Sequence, residues 1–246
     1  MGDDLRGHIA VVTGASSGIG RAIALALAAR GAALCLVGRR TDRLTAIADE
    51  VARHGVSVAT YPTDLASDED TEALTDAIRR DFAGLDIVVH SAAVFSRGIV
   101  GTASREDLDA QYRVNFRAPY VLTAQLLPLI RPNRGQMVFV NSTAGRSVAG
   151  GVAAYSAMKH ALRALADALR EEVNPRGIRV LSVFVGRTAT PMQMELHRLE
   201  GRAYRPERLL QPEDVASVVV HALSLPRTAE VTDITIRPLR KLENPS

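Results

Sequence analysis

The sequence has a single cysteine, Cys35, in 246 residues, so no second cysteine is present to form an internal disulfide. One cysteine also excludes a four-cysteine zinc site, and we expect no metal centre. No apolar run approaches the roughly 18 residues that a membrane-spanning helix requires, so we expect no membrane association. The first residues, Met1–Arg6, are acidic and polar and contain no apolar signal segment. These absences predict a cytoplasmic protein that folds without disulfides or metals.

Lysine is also scarce, although the chain is weakly basic. Lys and Arg together number 30 against 27 Asp and Glu, which gives a formal net charge of +3, yet Lys159 and Lys241 are the only lysines. The arginines are scattered among the acids and form no basic stripe, zinc finger or RNA-binding signature, so we expect no nucleic-acid partner. A lysine retained in such an arginine-rich chain suggests a task for a compact ammonium group with a tunable pKa.

Short apolar runs alternate with helix-length amphipathic segments along the chain. Strands are predicted at residues 9–13, 33–37, 57–61, 87–90, 137–141, 180–185 and 231–236. Helices are predicted at residues 18–30, 41–54, 68–82, 105–131, 153–174 and 212–224. Strands that are apolar on both faces and separated by helices are typical of a covered parallel sheet. We therefore predict the α/β class, with one doubly wound domain over residues 1–246 and about seven parallel strands flanked by helices on both faces.

One segment, 186–211, interrupts this alternation because it has no clear strand character. In doubly wound sheets, ligands bind outside the carboxyl ends of the strands. A long segment that follows a strand end overhangs this crevice, so we expect residues 186–211 to form a lid over the substrate.

A glycine-rich segment, Thr13-Gly14-Ala15-Ser16-Ser17-Gly18-Ile19-Gly20, follows the first predicted strand and leads directly into the first helix. Glycines permit a tight turn and close approach of the backbone, and a helix N-terminus favours a phosphate. The spacing is G-x-x-x-G-x-G rather than the common G-x-G-x-x-G, and a plain structural turn is the alternative. Its position between a strand and a helix favours phosphate binding.

The end of the second predicted strand bears on which nucleotide is bound. In this architecture an acid about 20 residues past the glycine-rich turn binds the ribose 2′-hydroxyl of NAD, whereas arginine accommodates the 2′-phosphate of NADP. The chain reads Val37-Gly38-Arg39-Arg40 here and has no acid. We interpret Arg39 and Arg40 as ligands of a 2′-phosphate and predict NADP(H) as the cofactor. The alternative is that both are solvated surface arginines.

Tyr155 and Lys159 are four residues apart, which places them on one face of the predicted helix 153–174. A free tyrosine has a pKa near 10, but a cation held close to the phenol lowers it. We therefore interpret Tyr155 as a general acid or base with Lys159 beside it, the alternative being an exposed tyrosine and an unrelated lysine. Ser142 lies just past the fifth predicted strand, where its hydroxyl faces the crevice, and neighbouring Thr143 competes for that place.

Taken together, these residues resemble the short-chain dehydrogenase/reductase family over essentially the whole chain. The features that stand in family order and at family spacing are the glycine-rich loop, Asp64, Asn115, Ser142, Tyr155 and Lys159. The resemblance implies a Rossmann fold and an NADP(H)-dependent oxidoreductase that interconverts a carbonyl and a secondary or primary alcohol on a small molecule. It also implies a homodimer or homotetramer, paired through the helices near 105–131 and 153–174.

The resemblance further implies a role for each catalytic position. Tyr155 would protonate the substrate carbonyl oxygen, and Ser142 would hydrogen-bond and polarise it. Lys159 would lower the pKa of Tyr155 and hold the nicotinamide ribose, while Asn115 would position a water in a proton relay. The implied cofactor contacts are Gly14, Ser16, Ser17, Gly18, Ile19, Gly20, Arg39, Arg40, Asp64, Leu65, Ala92, Tyr155, Lys159, Thr188 and Thr190.

Two places depart from the family pattern. The family usually has Asn-Asn-Ala-Gly after the fourth strand, whereas this chain has His90-Ser91-Ala92-Ala93, and Val185 stands where the family commonly has proline. Ala93 adds a methyl group beside the expected cofactor, and we expect His90 to make a structural hydrogen bond rather than act as an acid or base. The altered segment leaves open a non-catalytic NADP-binding sensor or scaffold. The resemblance also leaves open an epimerase or dehydratase.

Three segments should bound the substrate pocket by their place in the fold: 94–101, 144–152 and 193–205. The notable side chains in or beside them are Phe95, Arg97, Arg146, Met192, Met194, His197, Arg202 and Arg205. We hypothesise that the substrate carries an acidic group that one of these arginines binds. The alternative is that all four arginines are solvated.

Overall fold

A computed structural model describes residues 5–240 of the chain. Residues 1–4, which open the polar segment interpreted above, and residues 241–246, which include Lys241, lie outside the described residues. Within the described part, no helix is long and apolar enough to cross a membrane. The same part contains no group of three or more His, Cys, Asp and Glu side chains placed to hold a metal ion.

Seven strands form one sheet in which every neighbouring pair is parallel. The strands are β1 (Ile9–Thr13), β2 (Ala33–Gly38), β3 (Val58–Pro62), β4 (Ile87–His90), β5 (Gln136–Ser142), β6 (Arg179–Val185) and β7 (Asp233–Ile236). Their order across the sheet is β3-β2-β1-β4-β5-β6-β7, which confirms the predicted Rossmann sheet. The direction of winding reverses between β1 and β4, so the ligand crevice is expected outside the carboxyl ends at this point.

Helices cover both faces of the sheet. They are α1 (Gly18–Ala28), α2 (Thr41–Ala52), α3 (Asp68–Asp81), α4 (Arg105–Tyr112), α5 (Ala118–Leu126), α6 (Ala153–Val173), α7 (Pro191–Leu199) and α8 (Pro212–Leu223). Successive strand residues point to opposite faces, so Val12 packs into the apolar layer beneath α1, α2 and α8, whereas Val11 packs into the layer beneath α3, α5 and α6. Burial on both faces explains why the central strands are largely apolar, whereas the edge strands β3 and β7 are only partly buried.

The predicted helix 105–131 is helical from Arg105 to Leu129, although it is not α-helical throughout. It is divided into α4, a π-helical turn at Arg113–Arg117, α5, and a 3₁₀ turn at Leu127–Leu129. π-Helical turns inside helices occur frequently at functional sites. Pro128 lies in the 3₁₀ turn and has no backbone N–H to continue the helix, so the chain turns here toward β5.

The predicted lid segment contains a helix, α7, that the strand-based reading did not include. The Thr190 hydroxyl accepts a hydrogen bond from the Gln193 backbone N–H at 3.2 Å, and Pro191 occupies the first helical turn. A threonine cap followed by proline is a recognised helix start. The pair Thr190-Pro191 therefore predicts the start of α7, although the alternation of strands and helices does not.

Candidate active site

A cavity of about 940 Å³ opens at the carboxyl ends of the strands. The predicted site residues that line it are Gly14, Ser16, Ser17, Gly18, Ile19, Gly20, Arg39, Arg40, Asp64, Leu65, Ala92, Ser142, Tyr155, Lys159, Thr188 and Thr190. Asn115 is not among the lining residues. The lid segment 186–211 contributes part of the wall, including Met192 and Leu196 from α7. The structure thus brings together residues that lie up to 188 positions apart, from Gly14 to Arg202, at the crevice where a parallel sheet holds ligands.

The glycine-rich loop is shaped by close approaches of backbone that a side chain would prevent. Gly14 has φ of +67°, and a Cβ there would lie 2.8 Å from the Cα of Ala92. A Cβ at Gly20 would lie 2.4 Å from the Gly14 carbonyl oxygen. The loop can therefore lie against the segment after β4 and leave the N-terminus of α1 open toward the cavity.

Thr13 fixes that approach, and the sequence reasoning gave it no role. Its hydroxyl donates to the Val89 carbonyl at 3.3 Å and accepts from the backbone N–H groups of Ser91 and Ala92 at 3.0 and 3.2 Å. A buried hydroxyl at the end of β1 thus clamps the segment after β4 to the glycine-rich loop. In the sequence, this role of Thr13 is indicated only by its position between the first strand and Gly14.

Arg39 and Arg40 follow β2 and line the cavity at the far side of the glycine-rich loop. Both residues are exposed, and among the described residues no carboxylate forms an ion pair with either guanidinium. Their donors are therefore available to an anionic ligand, which Arg binds with paired hydrogen bonds.

Ser142 ends β5, and Tyr155 and Lys159 lie in the first two turns of α6. The Lys159 ammonium is buried and donates to the Val140 carbonyl at 3.1 Å, while its centre lies 5.7 Å from the centroid of the Tyr155 ring. The structure therefore places the cation beside the phenol, on the same wall of the cavity as Ser142.

Asn141 joins β5 to α6 and was missed by the sequence reasoning. Its Nδ2 donates to the Lys159 carbonyl at 3.0 Å, and its Oδ1 accepts from the Ser142 N–H at 2.7 Å. Gly145 allows this contact, because a Cβ there would lie 2.6 Å from Asn141 Oδ1 and 2.8 Å from the Lys159 carbonyl oxygen. One buried amide thus fixes the serine relative to the helix that carries the lysine.

The expected lowering of the Tyr155 pKa by Lys159 is not what this structure shows. Burial raises the pKa of Tyr155 to about 12, and a hydrogen bond with Ser142 opposes this only in part. Burial also lowers the pKa of Lys159 to about 8. The reason for the difference is desolvation, which penalises the phenolate and the ammonium alike. Tyr155 is therefore a phenol, ready to donate a proton, at neutral pH.

This gives a prediction for the free protein. We compare the ultraviolet absorbance of tyrosinate in wild type and in Tyr155→Phe. The two proteins should show no difference from about pH 6 to about pH 10, because the raised pKa keeps the Tyr155 phenol protonated. Titration of both proteins under native conditions measures it. A tyrosinate signal centred below about pH 9 that is lost in Tyr155→Phe would show that Lys159, rather than burial, controls this phenol.

Asn115 lies in the π-helical turn and uses its side chain elsewhere. Its Oδ1 accepts from the Val94 N–H and its Nδ2 donates to the Val94 carbonyl, each at 2.8 Å. The amide is thereby committed to the segment after β4, and Asn115 is buried outside the cavity lining. The side chain thus shapes the segment that leads into the cavity, and the implied role of Asn115 in positioning a water stays a prediction.

The departures from the family pattern are accommodated locally. His90 is buried, its Nε2 lies 3.0 Å from the Thr123 hydroxyl, and its ring stacks on Phe139 with 4.9 Å between centroids. Burial lowers the pKa of His90 to about 3, so the ring is neutral and takes part in packing. Ala93 lines the cavity, and Val185 ends β6 in regular pairing.

The arginines of the expected substrate segments are not alike. Arg97 and Arg202 line the cavity, whereas Arg146 stacks 3.9 Å over Phe184 and lies 3.5 Å from Asp233. Arg205 is exposed and outside the lining. Of the four arginines hypothesised to bind an acidic group of the substrate, Arg97 and Arg202 therefore remain as candidates.

Glu200, at the end of α7, forms ion pairs with three arginines at the lid. Its carboxylate lies 2.7 Å from Arg97, 2.8 Å from Arg187 and 3.5 Å from Arg202. Burial by itself raises the pKa of Glu200, but hydrogen bonding from Arg187 and the charges of the three arginines lower it overall. Arg187, which the sequence reasoning did not consider, completes this cluster.

We expect Glu200→Gln to lower the free energy of unfolding by about 1–3 kcal/mol at neutral pH. The loss is smaller than for a fully buried ion pair because the side chains of the three arginines are partly exposed. Because the folded pKa is lowered, this stabilisation is complete above the unfolded pKa of about 4.3 and is lost as the pH falls through the folded value. Urea denaturation at neutral and acidic pH measures both effects. Glu207→Gln, at an exposed carboxylate, is the control, and equal stability of the two variants would contradict the prediction.

Sequence comparison identifies relatives along most of the chain. Residues 8–201 match the family model described as short chain dehydrogenase. An uncharacterized oxidoreductase of Staphylococcus aureus (strain N315) is 33% identical over 238 residues, which cover 96% of this chain and 99% of that protein. The glycine betaine reductase of Emericella nidulans is 34% identical over 240 residues, which cover 95% of this chain but 19% of that protein.

Solved structures share the whole fold. An alcohol dehydrogenase from the archaeon Thermococcus sibiricus, complexed with 5-hydroxy-NADP, has a TM-score of 0.85 at 28% identity and covers 96% of this chain and 99% of that one. L-Sorbose reductase from Gluconobacter frateurii, complexed with NADPH and L-sorbose, has a TM-score of 0.88 at 27% identity and covers 98% of this chain and 100% of that one. With this sheet, this cavity and a family match over most of its length, the chain belongs to the short-chain dehydrogenase/reductase family of oxidoreductases.

Proposed function

We propose that the protein is an NADP(H)-dependent oxidoreductase that interconverts a carbonyl and a primary or secondary alcohol on a small molecule. The observation that carries the proposal is the shared cavity: Ser142, Tyr155 and the open glycine-rich loop all line it, and burial keeps the Tyr155 phenol protonated. A phenol and a hydroxyl side by side can both bind one carbonyl oxygen, and the phenol can protonate it.

The cavity fits a dinucleotide. The approach of Gly14 to Ala92 leaves backbone N–H groups at the start of α1 facing the cavity, as a diphosphate requires. Arg39 and Arg40 present guanidiniums without an ion-pair partner among the described residues for a 2′-phosphate, and Asp64, which also lines the cavity, would bind the adenine. Thr188 and Thr190, which line the cavity just before α7, would bind the carboxamide.

When bound, NADPH supplies a hydride to the carbonyl carbon. Tyr155 donates the phenolic proton to the carbonyl oxygen, and Ser142 donates a hydrogen bond to that oxygen as negative charge develops. The Lys159 ammonium, held by the Val140 carbonyl, stabilises the phenolate that remains until a proton returns from solvent. In the oxidative direction Tyr155 accepts the alcohol proton instead.

Two relatives support this assignment by their chemistry. The archaeal neighbour is an alcohol dehydrogenase complexed with an NADP derivative, and L-sorbose reductase was crystallised with NADPH and a sugar. The alignments with both structures cover nearly all of this chain. Their NADP-type ligands agree with a 2′-phosphate site at Arg39 and Arg40, and we therefore propose NADP(H) for this protein as well.

The experiment is a screen of aldehydes, ketones and alcohols with NADPH or NADP⁺, in which cofactor turnover and product are both measured. Equal amounts of NADPH oxidised and alcohol formed are expected. Conversion of a substrate without net NADPH consumption would instead assign an epimerase or dehydratase. Cofactor binding without turnover of any compound, in wild type as in Tyr155→Phe, would favour a non-catalytic sensor.

We further infer a homodimer or homotetramer in the cytoplasm. Tyr112, Phe116 and Tyr120 form a row of ring contacts along α4, the π-helical turn and α5, and both tyrosines are exposed. Exposed aromatic faces of this kind are typical of interfaces between protein chains. The molar mass in solution tests the inference.

A further inference from the structure

The lid end of the cavity holds three arginines for which the proposed hydride transfer has no use. Arg97 follows β4, Arg187 follows β6 and Arg202 follows α7, and all three line the cavity together with Tyr155. Their guanidiniums lie 2.7–3.5 Å from the carboxylate of Glu200. Three separate segments of the chain thus place their guanidinium groups around one carboxylate.

The cluster is built with positive charge in excess. One carboxylate faces three guanidiniums, and the Glu200 side chain is only 8% exposed. The side chains of Arg97, Arg187 and Arg202 are 41%, 29% and 28% exposed, so a ligand can reach the cations but hardly the carboxylate. Glu200 therefore orients the guanidiniums without neutralising them, and it leaves part of each planar set of donors free for another anion.

The cluster also lies next to the reacting groups. The Phe95 ring, two residues before Arg97, packs edge-on against Tyr155 with 5.0 Å between centroids. The Gly98 N–H donates to the Gly151 carbonyl at 3.0 Å, and a Cβ at Gly151 would lie 3.2 Å from Arg97 Nε. Arg97 is thereby held against the loop that enters α6 just before Tyr155.

We propose that Arg97, Arg187 and Arg202 bind a carboxylate or phosphate of the substrate whose carbonyl is reduced at Tyr155. The inference rests on the proposed function, to which it adds a substrate class: carbonyl compounds, or the corresponding alcohols, that carry an anionic group. The cofactor diphosphate offers the same anionic oxygens, and Arg187 precedes Thr188 directly, so the test separates these two sources.

The test measures binding of benzoate and of benzamide, which share a shape and differ in charge, by calorimetry with and without NADP⁺. We expect benzoate to bind about tenfold more tightly than benzamide, from charge-assisted hydrogen bonds to arginine. Arg97→Gln and Arg202→Gln should each remove most of this preference and leave benzamide binding unchanged. Arg205→Gln, at an exposed arginine of the same segment outside the cavity lining, is the matched control and should retain the preference.

Equal binding of the two probes to wild type, or a benzoate preference that survives in both Arg97→Gln and Arg202→Gln, would overturn the inference. An unchanged preference together with about tenfold weaker NADPH binding in Arg202→Gln would assign the cluster to the cofactor and overturn it as well. The readout needs no turnover. Failure of every carbonyl to oxidise NADPH would therefore count against the proposed function while the benzoate preference still stood.

Discussion

Replacing Tyr155 with phenylalanine is expected to lower kcat for carbonyl reduction by about 10³-fold, within the ~10²–10⁴ that general acid–base catalysis contributes. Phenylalanine keeps the ring that packs against Phe95 and removes the proton donor. Binding of NADPH should change by less than about threefold, because no phosphate contact is lost. Steady-state kinetics and a cofactor titration of the same protein separate the two effects.

Tyr120→Phe is the matched control for this experiment. Tyr120 is 54% exposed on α5 and lies outside the cavity, so its hydroxyl should be dispensable for turnover. A Tyr155→Phe protein that kept full kcat would remove Tyr155 from the mechanism. Equal losses in both variants would point to a general effect on folding or assembly.

Replacing Arg39 and Arg40 together with alanine is expected to weaken NADPH binding by about 10- to 100-fold and to leave NADH binding nearly unchanged. Each hydrogen bond to a charged group contributes ~1.5–3 kcal/mol, and exposure of both arginines keeps the effect at the lower end. The selectivity arises because NADH has no 2′-phosphate. Parallel titrations of wild type and the double variant with each cofactor measure it.

The control is Arg43→Ala, an exposed arginine in the first turn of α2 that does not line the cavity. It should leave the affinities for both cofactors unchanged. If the double variant lost NADPH and NADH binding equally, the two arginines would support the loop as a whole. If it lost neither, they would be solvated surface residues, which was the alternative interpretation.

The centre of the sheet could be predicted from the sequence because its strands are buried on both faces. The run at 33–37, Ala-Leu-Cys-Leu-Val, is apolar without interruption, and its length and flanking segments distinguish a strand from a helix. The glycine-rich loop and the Tyr155–Lys159 spacing could also be read, since each depends on neighbours in sequence. The loop and the Tyr155–Lys159 pair could also be predicted to share one cavity, because the carboxyl ends of parallel strands lie at the same edge of the sheet.

Contacts between distant segments could not be predicted in this way. The Arg97–Glu200 pair joins residues 103 positions apart, and nothing local marks Glu200 as the partner of three arginines. The contact of the Asn115 amide with Val94 could not be predicted either, because its two hydrogen bonds join residues 21 positions apart. Burial decides the pKa of Tyr155, and the spacing of tyrosine and lysine contains no information on burial.

Titration of the wild-type protein with NADPH and with NADH, followed by cofactor fluorescence, is the decisive measurement of cofactor choice. We expect saturable binding of NADPH that is at least about tenfold tighter than binding of NADH. A preference for NADH would contradict the assignment of Arg39 and Arg40, although the family membership would stand. Binding of neither cofactor would contradict the proposed function itself.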